Sequence, residues 1–390
     1  MTTRTHQALV TVGPRKPFEI HERPTVAPEG DNILVQAKFT ASTPLDLHRA
    51  DGGLLVEPPQ VLGAVTVGMV KEVGPEAKRF KPGDEVFGWA HEGNVEAAHQ
   101  ERVTAPEWKF GKIPAGFSME QVATIPENFI TVFNTMASDL NLETPWPKPA
   151  NYVPPKADEP ILIWGAASSV GQQAIQILRY YGYRHLIATA SATHHKYLKE
   201  LGADDVVDYK DPKVVDLLLS AANKIRGDQQ PAIPLIIDCI GSQEGSLKSI
   251  AQVAQKGSIV AIMLPVILKH ASNEQAPEYT MEVTSVVPWA EGVEARGVRT
   301  HFVWAHEFFK EKLATEIMPA FVAEGIVVPQ RYRLIEGDTI KDRATNALNA
   351  LRDGVSREKL TEQLRSHFTS ANPRRFETMP VWAANDEIAG

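Results

Sequence analysis

Thiols are almost absent from this chain: Cys239 is the one cysteine in 390 residues. One thiol cannot close an internal disulfide or furnish a four-cysteine structural zinc. Cys239 sits in the apolar run LIIDCIG, where it reads as a buried strand residue. Positive charge is also in deficit. A net charge of −8 argues against nucleic acid or an anionic membrane as partner. No apolar run approaches the ~20 residues that cross a bilayer. The opening MTTRTHQALV lacks the hydrophobic core of a signal peptide, so a cytoplasmic chain is expected. Histidine supplies no metal site by spacing. His194 and His195 are adjacent and diverge on a helix, and His91 and His99 match no ligand pattern, so no metal is expected.

What the chain does have is length for two domains and, at 43% hydrophobic and 23% charged, an ordinary soluble composition. Its organising stretch is EPILIWGAASSVGQQAIQILRYYGYRHLIATASATHHK, from Glu159 to Lys196. Ile161 to Trp164 read as a buried strand stopping at Gly165. A Gly/Ala/Ser turn follows, then a helix with Val170, Ala174, Ile177 and Leu178 on one face, ending near Gly182, and a second strand from His185 to Ala190. Such a turn presents backbone N–H groups and a helix N-terminus to a pyrophosphate. Gly165 and Gly171 remain of the usual three glycines, while Ser168 and Ser169 stand where the middle one would be. Small residues in this place also serve plain close packing.

The end of the second strand discriminates between cofactors. NAD sites place a carboxylate there for the ribose 2′-OH, whereas a 2′-phosphate wants hydroxyls and cations. The sequence ATASATHHK has no acid and offers Ser191, Thr193 and Lys196, which favours NADPH; Tyr209, in DDVVDY, would close the same pocket. Downstream, GADDVVDY, LIIDCIG and SIVAIML alternate with helical stretches, the pattern of a doubly wound parallel sheet. Ligands of such sheets lie beyond the carboxyl ends of the strands, which makes Gly241 and the Leu264-Pro265 loop neighbours of the nicotinamide. Residues 265–297 read as an irregular polar lobe. HFVWAHEFFKEKLATEIMPAFVAEG reads as a strand and a long helix, and VVPQRYRLIEGDTIKDRATNALNALRDGVSREKL as a strand, an amphipathic helix and a turn.

The first hundred residues carry short strands between Gly/Pro turns, namely ALVTVG, NILVQAKFTA, AVTVGMVKEVG and DEVFGWA, the pattern of a small β-barrel. Pro44 and Asp46 mark a turn in ASTPLDLHRADGG, and Ser118 with Gln121 fits a capping box. Prolines crowd the segment from Asp139 to Pro160 and make it an extended connection. Within it Tyr152 and Lys156 spell YxxxK, an acid/base pair that needs a helix; Pro154 and Pro155 forbid one, so the match is chance.

Taken in order, TPLD, VLGAVTVGMVKEVGPEAKRFKPGDEVFG, ATIPENFITVF, WGAASSVG, LKELGADDVVDY, DCIGS and LRDGVSREKL resemble the medium-chain dehydrogenase/reductase superfamily, from Gln7 to about Leu364. They are most similar to its zinc-free quinone oxidoreductase and fungal enoyl reductase-like branch. The resemblance implies a GroES-like catalytic domain over residues 1–130, an NADP-binding Rossmann domain over 131–325, a return to the first domain over 326–364 and a tail over 365–390. It implies a pyrophosphate held at Ala166, Ser168, Ser169 and Val170, a 2′-phosphate at Ser191 and Lys196 beside Tyr209, and Thr131 beside the nicotinamide. Relatives carry NPxD where this chain has Thr43-Pro44-Leu45-Asp46, and often lysine where it has His48.

The activity so implied is hydride transfer from NADPH to an activated C=C bond, in an enone or enoyl thioester, or to a quinone. His48, as an imidazole with an ordinary pKa of about 6.5, is the expected donor of the proton. Alternatives are an NADPH-dependent aldehyde reductase and a low-turnover NADPH-binding sensor or structural protein. The expected partner is a small unsaturated carbonyl or quinone, and the relatives include homodimers and monomers.

Overall fold

The computed structural model describes residues 4–364, and the tail expected from Arg365 lies outside the described residues. Six strands form a wholly parallel sheet in the spatial order Asp205–Val207, His185–Thr189, Pro160–Trp164, Leu235–Asp238, Ile259–Met263, Glu294–Val298. In chain order this is 3-2-1-4-5-6, and the winding reverses between Pro160–Trp164 and Leu235–Asp238. Every residue of Pro160–Trp164 is buried, because helices such as Ser169–Tyr181 and Val214–Arg226 cover both faces.

The second body is a barrel built on the eleven-residue strand Asn32–Ser42, which pairs with Val65–Val73, Arg102–Pro106 and Lys359–Gln363. Its core gathers Ile33, Val35, Val70, Val86, Val103 and Phe110 beneath Ile340, Ala344 and Leu348 of the helix Ile340–Asp353. Helix Pro126–Asn134 joins the two bodies. All nine of its residues are buried, and Phe129 and Phe133 share one apolar cluster with Phe87 of the barrel and Ile161 of the parallel sheet. The helix runs across the expected boundary at residue 130.

Four local expectations change. TPLDLHRADG is a helix, Pro44–Gly52, rather than a turn: Pro44 occupies the first helical position, where a missing N–H costs nothing, and Thr43 with Asp46 forms a capping box. Residues 265–297 hold an antiparallel hairpin, Val266–Lys269 with Glu278–Thr280, and the edge strand Glu294–Val298. HFVWA is a 3₁₀ turn, Thr300–Ala305, seated on the aromatic contact between Trp304 and Trp108. The long helix is broken by a wide turn at Leu313–Ile317, just before Pro319, which has no N–H to donate inside a helix. The capping box of Ser118 and Gln121 is present, and Tyr152 donates to Glu143 at 3.1 Å in a helix-free segment. Among the described residues no helix is long and apolar enough to cross a membrane.

Candidate active site

The crevice opens where the strand order reverses, at the carboxyl ends of Pro160–Trp164 and Leu235–Asp238. Gly165 begins the turn with φ +76°, and a Cβ there would stand 2.5 Å from Cδ1 of Ile240. Gly171, in the first turn of the helix, lies so close to the strand end that a Cβ would meet Cα of Ala166 at 2.5 Å. Ser168 caps the helix by accepting from the Gly171 N–H at 3.1 Å. Ala166, Ser168, Ser169 and Val170 thus form a tight helix-opening turn whose N-terminus faces the crevice, the shape a pyrophosphate fits. Gly241 and Leu264 follow the neighbouring strands, and the Gly241 carbonyl accepts from Ile267 N–H at 2.6 Å, which fixes the root of the hairpin above the crevice.

At the end of the second strand the Ser191 hydroxyl donates to the Tyr209 hydroxyl across 3.4 Å. These two expected residues meet. Thr193 is exposed in the turn Ala192–His194, and Lys196 points outward, its side chain 93% exposed and 3.9 Å from Glu200. Two groups missed in the sequence stand at this end. The Arg357 guanidinium lies 3.7 Å from the centre of the Tyr197 ring, and His194 Nε2 is 2.9 Å from the Ser356 hydroxyl. Both contacts come from the loop before the last strand, in GVSREKL, and long-range closure is what hid them. Asp208, next to Tyr209, accepts from the Lys210 N–H at 2.9 Å.

At the other end, helix Pro44–Gly52 carries the capping box into a buried polar knot. The Thr43 hydroxyl stands 3.3 Å from Asp46 Oδ2 and 3.5 Å from Glu127 Oε1. Thr131 donates to the Glu127 carbonyl at 2.7 Å and accepts from Thr300 at 3.2 Å. Lys359 Nζ closes the knot by donating to Asn128 at 2.9 Å. Thr43 and Thr131 are therefore brought together through Glu127, a residue the sequence reading passed over inside ATIPENFITVF. His48 is not part of this knot: its Nδ1 is 2.6 Å from the Tyr279 hydroxyl of the hairpin.

Burial sets unusual charges here. It pushes Asp139 up to about 7 against the pull of Arg296, and Asp238 up to about 6 against a hydrogen bond from Ser246. Glu127 is raised by burial too, while Lys359 draws it down. In the opposite sense, burial takes His48 down to about 4 with help from His270, and His91 to about 4 with help from Lys109. The signs fix a stability profile. A raised carboxyl contributes stability that is complete below its unfolded value of about 4 and lost as pH rises through its folded value. A lowered histidine does the reverse, adding stability between about 4 and about 6.5. The two sets oppose one another up to about pH 6.5; above it the lowered histidines contribute no further change, while the carboxyls and His99, raised against burial by Glu362, go on losing stability. The melting temperature is expected to fall between about pH 6.5 and about pH 8, and to fall less in Asp139→Asn; a flat or rising profile for the unaltered protein would contradict this.

Family models match in two blocks: the alcohol dehydrogenase GroES-like domain over residues 29–134 and zinc-binding dehydrogenase over residues 169–285. A trans-enoyl reductase of Aspergillus flavipes is 32% identical over 230 residues, 57% of this chain and 64% of the relative, so the match spans just under two thirds of that relative's length. A trans-enoyl reductase of Aspergillus terreus is 32% identical over 234 residues, 57% of this chain and 74% of the relative. Among solved structures, the quinone oxidoreductase of Escherichia coli complexed with NADPH superposes with a TM-score of 0.67 at 18% identity, over 92% of this chain and 99% of the other, a likeness of fold. The zinc in the second model's description does not fit the donors present: among the described residues no three His, Cys, Asp or Glu side chains are grouped to hold a metal ion.

Proposed function

The chain belongs to the medium-chain dehydrogenase/reductase superfamily, and we propose that it is an NADPH-dependent, zinc-independent reductase of an activated C=C bond or a quinone. The observation that carries the reading is the crevice at the 3-2-1-4-5-6 switch point, whose second strand ends in the Ser191–Tyr209 pair instead of a carboxylate. NADPH bound there would supply a hydride. Gly165, Ala166, Ser168, Ser169 and Val170 would hold its pyrophosphate at the helix N-terminus, with Ser191, Tyr209 and Arg357 around the 2′-phosphate. Lys196 would reach it by turning away from Glu200. Gly241, Leu264 and Thr131 would border the nicotinamide, and Thr43 and the hairpin the substrate. The relatives' names, trans-enoyl reductase and quinone oxidoreductase, support reduction of a conjugated acceptor.

The test is oxidation of NADPH and NADH by the purified protein against quinones, enones and aldehydes, with product analysis on an unsaturated aldehyde. Loss of the C=C bond with NADPH preferred is the expected result. Formation of the alcohol identifies an aldehyde reductase, and cofactor binding without turnover identifies a sensor; either outcome overturns the reading.

A further inference from the structure

The hairpin Val266–Lys269/Glu278–Thr280 leaves the parallel sheet at the carboxyl end of Ile259–Met263 and crosses to the barrel. Its tip is held by Arg15, whose guanidinium donates to the carbonyls of Ser272, Asn273 and Gln275 at 3.0, 2.7 and 2.9 Å. Its return strand packs Tyr279 against Gly52, at the end of the capped helix, closely enough that a Cβ on Gly52 would overlap the ring. The Tyr279 hydroxyl reaches His48 Nδ1 at 2.6 Å, with the two rings edge-on at 4.6 Å between centres. His270, on the same hairpin, bonds Ser242 at 3.1 Å beside Gly241, which ties this corner to the nicotinamide end of the crevice. A phenol from one body and an imidazole from the other therefore meet on the hairpin whose base is tied to Ser242, beside Gly241.

We propose, resting on the reading of the site as a C=C reductase, that Tyr279 is the proton donor of the reaction and that His48 is the residue that positions it. The chemistry balances simply. As hydride and its electron pair arrive at the β-carbon of the acceptor, the charge moves to the α-carbon and its carbonyl oxygen. The Tyr279 O–H bond breaks, a C–H bond forms at the α-carbon, and water returns a proton to the phenolate. His48 holds the phenolate by donating Nδ1–H across the 2.6 Å contact. Burial keeps His48 uncharged near neutrality, which suits it to orienting a hydroxyl and not to being the acid. Tyr279 stays a neutral phenol, since burial and Asp51 both raise it.

Tyr279→Phe keeps the ring against Gly52 and removes the hydroxyl. With an enone it is expected to lower kcat by about 100-fold, leaving KM and NADPH affinity within about twofold. The loss should be at least about ten times larger for an enone than for a quinone, whose reduced oxygens take protons from water unaided. In D₂O the variant should lose facial preference for deuterium at the α-carbon. His48→Ala should share the kcat loss, and His48→Asn, which keeps an N–H near Nδ1, should restore part of it. Independently of turnover, the imidazole nitrogen resonances of His48 in the cofactor-free protein should shift in Tyr279→Phe. Enone turnover within about threefold of the parent, with facial selectivity kept, overturns the assignment of Tyr279. No turnover of any enone by the parent protein overturns instead the reading on which it rests.

Discussion

Lys359→Met is expected to destabilise the fold by about 3–5 kcal/mol, the usual result of leaving a buried carboxylate without the cation that offsets it. Lys359 is 4% exposed and Glu127 8%, and the lysine donates to Asn128 at 2.9 Å. Burial lowers the lysine's pKa, and the charges of Glu127 and Asp46 pull against that shift. Methionine fills nearly the same volume, which keeps the cavity contribution small and leaves an uncompensated carboxylate as the main cost. Without its cation Glu127 takes up a proton more readily, so the deficit should be larger near pH 8 than near pH 5.5. Glu127→Gln together with Lys359→Met removes both charges and should recover most of the loss. Denaturant titration of the three variants measures it. A loss for Lys359→Met below about 1 kcal/mol, or a double variant no better than the single, would show that the two charges are not energetically paired.

How legible this knot was in the sequence follows from the range of its contacts. The central parallel strands announced themselves because each is a short apolar run between turns, and burial on both faces leaves no other composition; the edge strand Glu294–Val298, EARGV, did not. The cofactor turn was legible for a similar local reason: Gly165, Ser168 and Gly171 act within seven residues of one another. Glu127 was not. It sits 84 positions from Thr43, and nothing in ATIPENFITVF marks one carboxylate as buried. The same holds for Tyr279, 231 positions from His48, in a segment whose Pro and polar residues conceal a two-stranded hairpin.

The local misreadings share a cause. Proline in TPLD suggests a turn, yet at the first helical position it costs no hydrogen bond, and Asp46 three residues after Thr43 is the capping partner that settles the matter. HFVWA has strand composition but follows Val298, where the sixth parallel strand already ends; tertiary packing of Trp304 on Trp108 overrides its propensity. Lys196 and Arg357 differ in range. Lys196, five residues from Ser191, was legible locally and points outward beside Glu200, whereas Arg357 comes to that end from the loop before the last strand and was not.

The proposed preference for NADPH has a direct test there, and Ser191→Asp is expected to reverse it. Ser191 is partly exposed, with an extended backbone at φ −58° and ψ 144°, so aspartate enters without strain and the fold should keep its stability. A carboxylate beside Tyr209 would face a 2′-phosphate as a like charge, at a cost of several kcal/mol, or about 100-fold to 1,000-fold in NADPH affinity. The same carboxylate would accept from the 2′-OH of NADH, so binding of that cofactor should tighten. Arg357→Ala is the complementary change. It removes a cation without adding an anion, so NADPH should weaken by about tenfold and NADH stay nearly constant. Calorimetric titration of both cofactors into the parent and the two variants decides. If Ser191→Asp binds NADPH as the parent does, the phosphate does not sit between Ser191 and Tyr209. If Arg357→Ala weakens both cofactors equally, the guanidinium serves the adenine or the closure of the two bodies, and the 2′-phosphate finds its cation elsewhere.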